Sequence, residues 1–347
     1  MFFKSRKEEP PAMTLEGVLG PNGRLDEAPG MRVAAPDAMC IAHDGQLLFS
    51  DGNAVRRLGT WGGEPQLWRR FDLSVTALFS SPGGLVAVGL ASGQIVVCDA
   101  AGQAVSGWTL QTGFSSVVDG LFLSEDELVL VDCGYAAGET VLSIAPWDNT
   151  PRGNVVALKR SGETRTLASG LHCPMGICRD ADGGLIVTEL ERAHIADTTG
   201  KVRQSGYPAY LGRIRQTSRG FALACLSRRD PLIEFLKTEV AFVAEMKAGI
   251  DPRHWISPRI SPEFSHDFPI ELGATRLFGE VKAWAPSFSY GLMIELDNSL
   301  MPTRSAHSRA NGIRHAISDV VEWYGAMLVV SKASGEILNL GAREDQS

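Results

Sequence analysis

Short runs of apolar and β-branched residues alternate with turns rich in Gly and Asp along most of the chain, and the alternation repeats. The recurring unit is a turn, an apolar strand, a second turn and another alternating strand. It reads DGQLLFSDGNAVRRL from Asp44, PGGLVAVGLASGQIVVCD from Pro82, EDELVLVDCGYAAG from Glu125, DGGLIVTELERAHI from Asp182, RGFALACLSRRD from Arg219 and YGAMLVVSKASGEILNL from Tyr324. The first five copies start about 37 to 57 residues apart, which suits one four-stranded propeller blade better than a helical solenoid repeat. The pattern predicts an all-β fold, a six-bladed β-propeller spanning residues 13–341 as one domain, with residues 1–12 as a disordered tail.

The gap before the sixth copy is longer, and its pattern changes. From Asp230 and Pro231, the residues Leu232, Ile233, Phe235, Leu236, Val240, Val243 and Met246 recur at helical spacing up to Gly249. Asp at the N-cap, Pro at the first helical position and Gly past the end agree on one helix. Between Asp251 and Pro286 the sequence is irregular and rich in Pro, Trp, Phe and His, longer than a plain connection between strands. An insertion in blade 5, about residues 226–288, is expected as a lid over one end of the propeller axis; a side loop on the blade's outer strand is the alternative. Within it His254, Trp255 and His266 are candidates to line a ligand pocket, or to pack the lid on itself.

Composition narrows the partners. A net charge of −7 with no Lys/Arg stripe supplies no field for a phosphate backbone, which argues against nucleic acid. No apolar run approaches the roughly 20 residues that span a bilayer, and the charged start MFFKSRKEEPPAM does not read as a signal peptide, so a cytoplasmic protein is expected, with no membrane partner. Cys40, Cys98, Cys133, Cys173, Cys178 and Cys225 lack zinc-site spacing and read as buried free thiols.

Local motifs carry a family resemblance. Pro36-Asp37-Ala38 precedes a strand and an Asp51-Gly52 turn followed by Arg56. Cys173-Pro174-Met175-Gly176-Ile177 precedes Thr188-Glu189. Near the end come Tyr290-Gly291-Leu292, Ser305-Ala306-His307-Ser308, Asn311-Gly312 and Val321-Glu322-Trp323-Tyr324-Gly325. Taken in succession, over about residues 30 to 341, these resemble the strictosidine synthase-like and gluconolactonase-like six-bladed propellers. The resemblance implies a ring closed by an N-terminal strand, expected at Thr14–Leu19, that completes the last blade.

In calcium-dependent relatives of that group, carboxylate and amide oxygens from inner strands hold a metal at the axis. The resemblance places those ligands here at Asp37, Asp119, Met175 and Gly212, with Arg213 beside the last. A thioether is a soft donor and glycine has no side chain, so this ligand count argues against a calcium site, and neither a metal nor another cofactor is expected. If Asp37 and Asp119 meet unpaired, their repulsion would raise one pKa and make them a proton-transfer couple. Neutralisation by Arg213 or by backbone N–H groups is the alternative.

The resemblance also places Ser318 where plant strictosidine synthases carry their catalytic Glu, which argues against that condensation because serine alone is no general base at neutral pH. His307 is a candidate base or a strand tie, and Glu189 is expected to point inward to the pocket. Two functions follow. One is a small-molecule hydrolase of lactones or esters, or a metal-independent acid–base catalyst, using Asp37, Asp119, His307 and Glu189. The other is a non-catalytic ligand-binding or scaffold propeller with a degenerate metal site. A small-molecule ligand or substrate is the expected partner in the first.

Overall fold

In the computed structural model, residues 14–342 are described apart from 109, 138, 140, 259, 261–275, 278–279, 282–288 and 311. Six four-stranded antiparallel sheets form the body. Each repeat found in the sequence supplies the second strand of one sheet, for instance Leu47–Asp51, Glu127–Asp132 and Ala326–Ser331. The first strands face the axis and pack on one another around it: Met39–Ile41 in blade 1, Val75–Ser80 in blade 2, Val117–Ser124 in blade 3, Pro174–Arg179 in blade 4, Ala209–Thr217 in blade 5 and Ile317–Trp323 in blade 6. The fold is therefore a six-bladed β-propeller. The second strands are apolar on both faces because each is covered by the blades on either side, as in Val86–Leu90, buried at every position.

The ring is closed by a different segment from the one the sequence suggests. Gly30–Arg32 pairs antiparallel with Glu336–Ala342, Gly30 opposite Leu338 and Arg32 opposite Glu336, and becomes the outermost strand of blade 6. Thr14–Leu19 instead ends in a 3₁₀ turn, Gly17–Leu19, and lies on the outermost strand of blade 5, Pro302–His307, where Ser305 Oγ donates to Val18 O at 2.7 Å. Gly17 at φ +58°, then Gly20 and Pro21, breaks any ladder there. Arg314 fastens the closing segment: its Nη1 donates to the carbonyls of Leu25, Asp26 and Ala28 at 2.9, 2.9 and 2.7 Å, and its Nε to Glu336 at 3.1 Å.

The helical insertion leaves blade 5 after Gly220–Arg228, at the end of the axis where the inner strands begin. It forms two helices, Pro231–Thr238 and Val240–Gly249, where one was expected. Asp230 caps the first as anticipated, accepting from Leu232 N at 2.9 Å. The break falls at Glu239, after Thr238 Oγ1 has taken the carbonyl of Phe235 at 2.7 Å, a side-chain bond that competes with the helical ladder. A small core joins the helices to blade 3: Trp147 packs with Ile233, Met246, Trp255 and Ile256, and its Nε1 donates to Ile256 O at 2.8 Å. At its root, buried Arg229 pairs with Glu234 at 2.9 Å and stacks over Tyr210 at 4.9 Å, while Tyr210 OH donates to Glu234 at 3.0 Å. The greater part of Asp251–Pro286, including His266, lies outside the described residues.

Because Arg314 satisfies three carbonyls of the closing segment, its loss should be felt in the whole ring. Arg314→Ala is expected to lower stability by roughly 2–4 kcal/mol, read as a lower urea midpoint with an unchanged slope.

Candidate functional site at the propeller axis

A shared irregularity aims the inner strands at the axis. Five of the six have a bulge near their start, at Thr76, Val118, Met175, Gly212–Arg213 and Ser318. In blade 1 Asp37 holds the equivalent place, because the backbone N–H groups of Asp37 and Ala38 both donate to Ser50 Oγ at 3.0 Å. A bulge leaves one residue out of the ladder and turns its carbonyl and side chain away from the neighbouring strand. Here the freed groups turn inward, and the ring of bulges makes a collar around the axis.

The side chain of Arg213 fills that collar. Its Nε donates to Val118 O at 2.9 Å and its Nη2 to Thr76 O at 2.8 Å. Its Nη1 donates to Asp37 O at 2.8 Å, Ser318 O at 3.0 Å and Asp37 Oδ1 at 3.2 Å. One planar guanidinium from blade 5 thus ties together the bulge carbonyls of blades 1, 2, 3 and 6. Gly176 in blade 4 lets the backbone beneath it approach: a Cβ there would stand 2.7 Å from Arg213 Cα.

A second layer repeats the device one residue further along the strands. Asp119 and Asp319 follow their bulges, are fully buried, and share Arg215, with contacts of 2.7 and 3.0 Å to Asp119 and 3.1 Å to Asp319. Each carboxylate also reaches across to the next blade, Asp119 accepting from Ile177 N at 3.0 Å and Asp319 from Met39 N at 2.9 Å. At the open end of the collar, Lys332 Nζ stands 3.1 Å from Asp37 Oδ2. Three cations, Arg213, Arg215 and Lys332, face three carboxylates, Asp37, Asp119 and Asp319, so the axis is electrically balanced.

This balance answers the question of a proton-transfer couple. Burial works to raise the pKa of Asp37, but Lys332 and Arg213 outweigh it and hold the carboxyl below its ordinary range. Burial also pushes Asp319 upward, with Arg215 and Arg213 opposing it and Asp119 adding to it. Asp37 and Asp119 are brought to one axis as expected, but each meets an arginine there. Arg213 is the neutralising group, and Arg215 and Asp319, which sequence reasoning missed, complete the layer. The alternation Arg213-Ile214-Arg215 on one inner strand was the available signal, since i and i+2 share a face of a strand.

The donor set does not suit calcium. Carbonyl oxygens are present, but they are committed to a guanidinium. Met175 is half-buried in blade 4 with its Sδ 3.8 Å from Cys173 Sγ, and Gly212 contributes only a carbonyl that accepts from Thr188 Oγ1 at 2.7 Å. A divalent ion added to the collar would meet a charge already present. Among the described residues no group of three or more His, Cys, Asp or Glu is placed to hold a metal.

The remaining candidates are dispersed. Glu189, at the end of the second strand of blade 4, is buried; it accepts from the backbone N–H of His172 and pairs with His194 Nε2 at 2.7 Å. Burial raises its pKa, but those two partners prevail and hold it low. His307 lies on the outermost strand of blade 5, away from the axis, with Tyr290 OH at 2.8 Å from Nδ1 and Ser305 Oγ at 2.8 Å from Nε2. Its position is that of the strand tie rather than of a base over the pocket. Trp255 is buried in the core around Trp147, and His254 is exposed on the 3₁₀ turn beside it. Ser318 donates to Asp37 O at 2.8 Å and is part of the collar. All six cysteines are buried and free.

Comparison with known proteins adds the fold and no more. No protein-family model matches the sequence, and no curated protein matches it. Among solved structures, the calcium-binding protein regucalcin from Agrobacterium tumefaciens aligns with a TM-score of 0.54 at 10% identity, over 90% of this chain and 91% of that one. A gluconolactonase from Xanthomonas campestris aligns at 0.53 and 12% identity, over 96% and 95%. A luciferin-regenerating enzyme aligns at 0.53 and 10% identity, over 91% and 87%. The structural neighbours are thus six-bladed propellers of the gluconolactonase and regucalcin type. Among the described residues no helix is long and apolar enough to cross a membrane.

Burial, with Arg228 and Arg24 nearby, pushes His307 down from 6.5 to about 4. A histidine kept neutral in the fold contributes stability that is complete above its unfolded pKa and is lost as pH falls through the folded one. Unfolding free energy measured against pH should therefore fall between about pH 6.5 and 4, and His307→Gln should flatten that part of the curve.

Proposed function

We propose that this propeller binds a small organic molecule at the end of the axis where the inner strands begin, without a calcium ion, and holds it rather than turning it over. The observation carrying this reading is the occupied collar: each axial carboxylate is engaged by Arg213, Arg215 or Lys332, which leaves none as an unpaired base. What remains for a ligand is the outer edge of the collar. Asp37 and Lys332, with side chains 22% and 37% exposed, stand there, and the bulge residues of blades 2 and 4, Thr76 and Met175, are half-buried. An anion or acceptor on the ligand would pair with Lys332, a donor with Asp37, and an apolar part would rest on Met175. The likeness to gluconolactonase-type propellers supports a small polar organic ligand as the class, by analogy of fold.

The same exposed pair favours a second reading, hydrolysis of a lactone or ester without a metal. In it, ionised Asp37 would take a proton from the attacking water, and Lys332 would polarise the carbonyl oxygen.

Two measurements separate these. Calorimetric titration with Ca²⁺ should give no saturable heat; stoichiometric binding would contradict both readings. A panel of lactones and aryl esters should show thermal-shift binding, weakened by Lys332→Met, and no turnover that depends on the axis. A hydrolytic rate that falls about a hundredfold or more in both Asp37→Asn and Lys332→Met, the scale expected for a lost general base, would instead establish the second reading.

A further inference from the structure

The end of the propeller where the inner strands finish carries a cleft of about 250 Å³ between blades 5 and 6. Sheets set around an axis splay apart away from it, and here the wedge is left unfilled. Gly325 and Gly341 line it at φ +77° and +76°, and a Cβ added to either would meet no atom within 4 Å. The charged lining is Arg24, Arg219 and Arg304 against Glu295 and Glu322, an excess of one positive charge in a chain whose net charge is −7. Both carboxylates are held by the fold. Ser218, in the turn after the inner strand of blade 5, donates its N–H and its hydroxyl to Glu322 of blade 6 at 2.6 and 2.7 Å. Glu295 stands opposite Arg304 in the register of the third and outermost strands of blade 5, yet its carboxylate lies 3.9 Å from Arg24, whose Nη1 also donates to Ser305 O at 2.9 Å. Arg304, half-buried, has no hydrogen-bond or ion-pair partner among the described residues.

We propose that this cleft binds a small polyhydroxylated organic anion, a sugar carrying a phosphate or a carboxylate, with Arg304 receiving the oxyanion. A guanidinium stays charged and offers a planar fork of donors that matches phosphate and carboxylate alike. Partial burial makes an unpaired charge costlier than it is in open water, and an incoming oxyanion meets Arg304 without having to break an internal pair. The rest of the ligand is read by acceptors. Carboxylate oxygens accept hydroxyl protons, and Glu295, Glu322 and the Thr217 hydroxyl line the same cleft. Its volume lies below the usual span of drug-sized sites, and among the described lining residues none is aromatic, which disfavours a nucleobase or another flat ring. The cleft lies at the opposite end of the propeller from the rim where Asp37 and Lys332 stand and shares no residue with it, so the site is independent of the small-molecule reading above.

The test is calorimetric titration of the full chain with glucose 6-phosphate and with glucuronate, glucose serving as the uncharged control. At least one of the two anions should bind saturably and glucose should not; the anion that binds more tightly identifies the oxyanion. Arg304→Gln removes a charge that no partner in the fold uses, so the urea midpoint should match that of the wild type while affinity falls about tenfold or more, the scale of one lost hydrogen bond to a charged group. Ala342→Glu adds a carboxylate to the cleft wall at an exposed position and should abolish binding. Lys332→Met, at the axis, should leave binding unchanged. Saturable binding of neither anion, equal binding of glucose, unchanged affinity in Arg304→Gln or Ala342→Glu, or loss of binding in Lys332→Met would overturn the proposal.

Discussion

The guanidinium of Arg213 is the contact on which the centre of this propeller depends. A ring of blades in which five of the six inner strands bulge near their starts turns backbone carbonyls toward one another, and such carbonyls buried without donors would cost free energy at each position. A single planar fork supplies donors in several directions at once and satisfies the carbonyls of Asp37, Thr76, Val118 and Ser318. Charge then dictates the surroundings. A buried cation needs carboxylates, and Asp37 with the Asp119–Arg215–Asp319 layer supplies and balances them.

With the middle tied by Arg213, the periphery is tied by the closing strand and the insertion. Arg314 secures Leu25–Ala28 to blade 6, and the Arg229–Glu234–Tyr210 cluster roots the helices on blade 5. The core around Trp147 then carries the insertion across to blade 3, past the end of blade 4. Asp37 and Lys332 keep part of their side chains exposed at the end of the axis where the inner strands begin. Function is therefore sought at this rim, since the depth of the axis is occupied by protein.

Much of the architecture was legible in the chain. The spacing of the DG-type turns gave the blades because each turn joins the same two strands in each sheet, and a strand buried on both faces leaves a continuous apolar run such as VAVGL. Closure was misplaced because Thr14–Leu19 and Gly30–Arg32 are both short and carry no periodicity; only pairing with Glu336–Ala342 distinguishes them. The site was half legible. Asp37, Asp119 and Arg213 enter the bonded network at the axis, whereas the Met175 sulfur lies beside Cys173 and the Gly212 carbonyl turns to Thr188. What escaped was pairing: Arg215 and Asp319 are distant in sequence from Asp119, and only the ring makes them neighbours. His307 sits as the strand-tie alternative has it, a polar residue in a recognisable motif whose ring nitrogens are both hydrogen-bonded within the fold.

The central claim is that a forked donor, and not merely a positive charge, holds the inner strands together. Equilibrium unfolding of Arg213→Lys tests it directly, because lysine retains the charge beside Asp37 but cannot serve four carbonyls at once. The account predicts a loss of about 3–5 kcal/mol, the scale for breaking a buried, hydrogen-bonded ion pair. A variant that unfolds within about 1 kcal/mol of the wild type, the scale of an ordinary surface substitution, would contradict it.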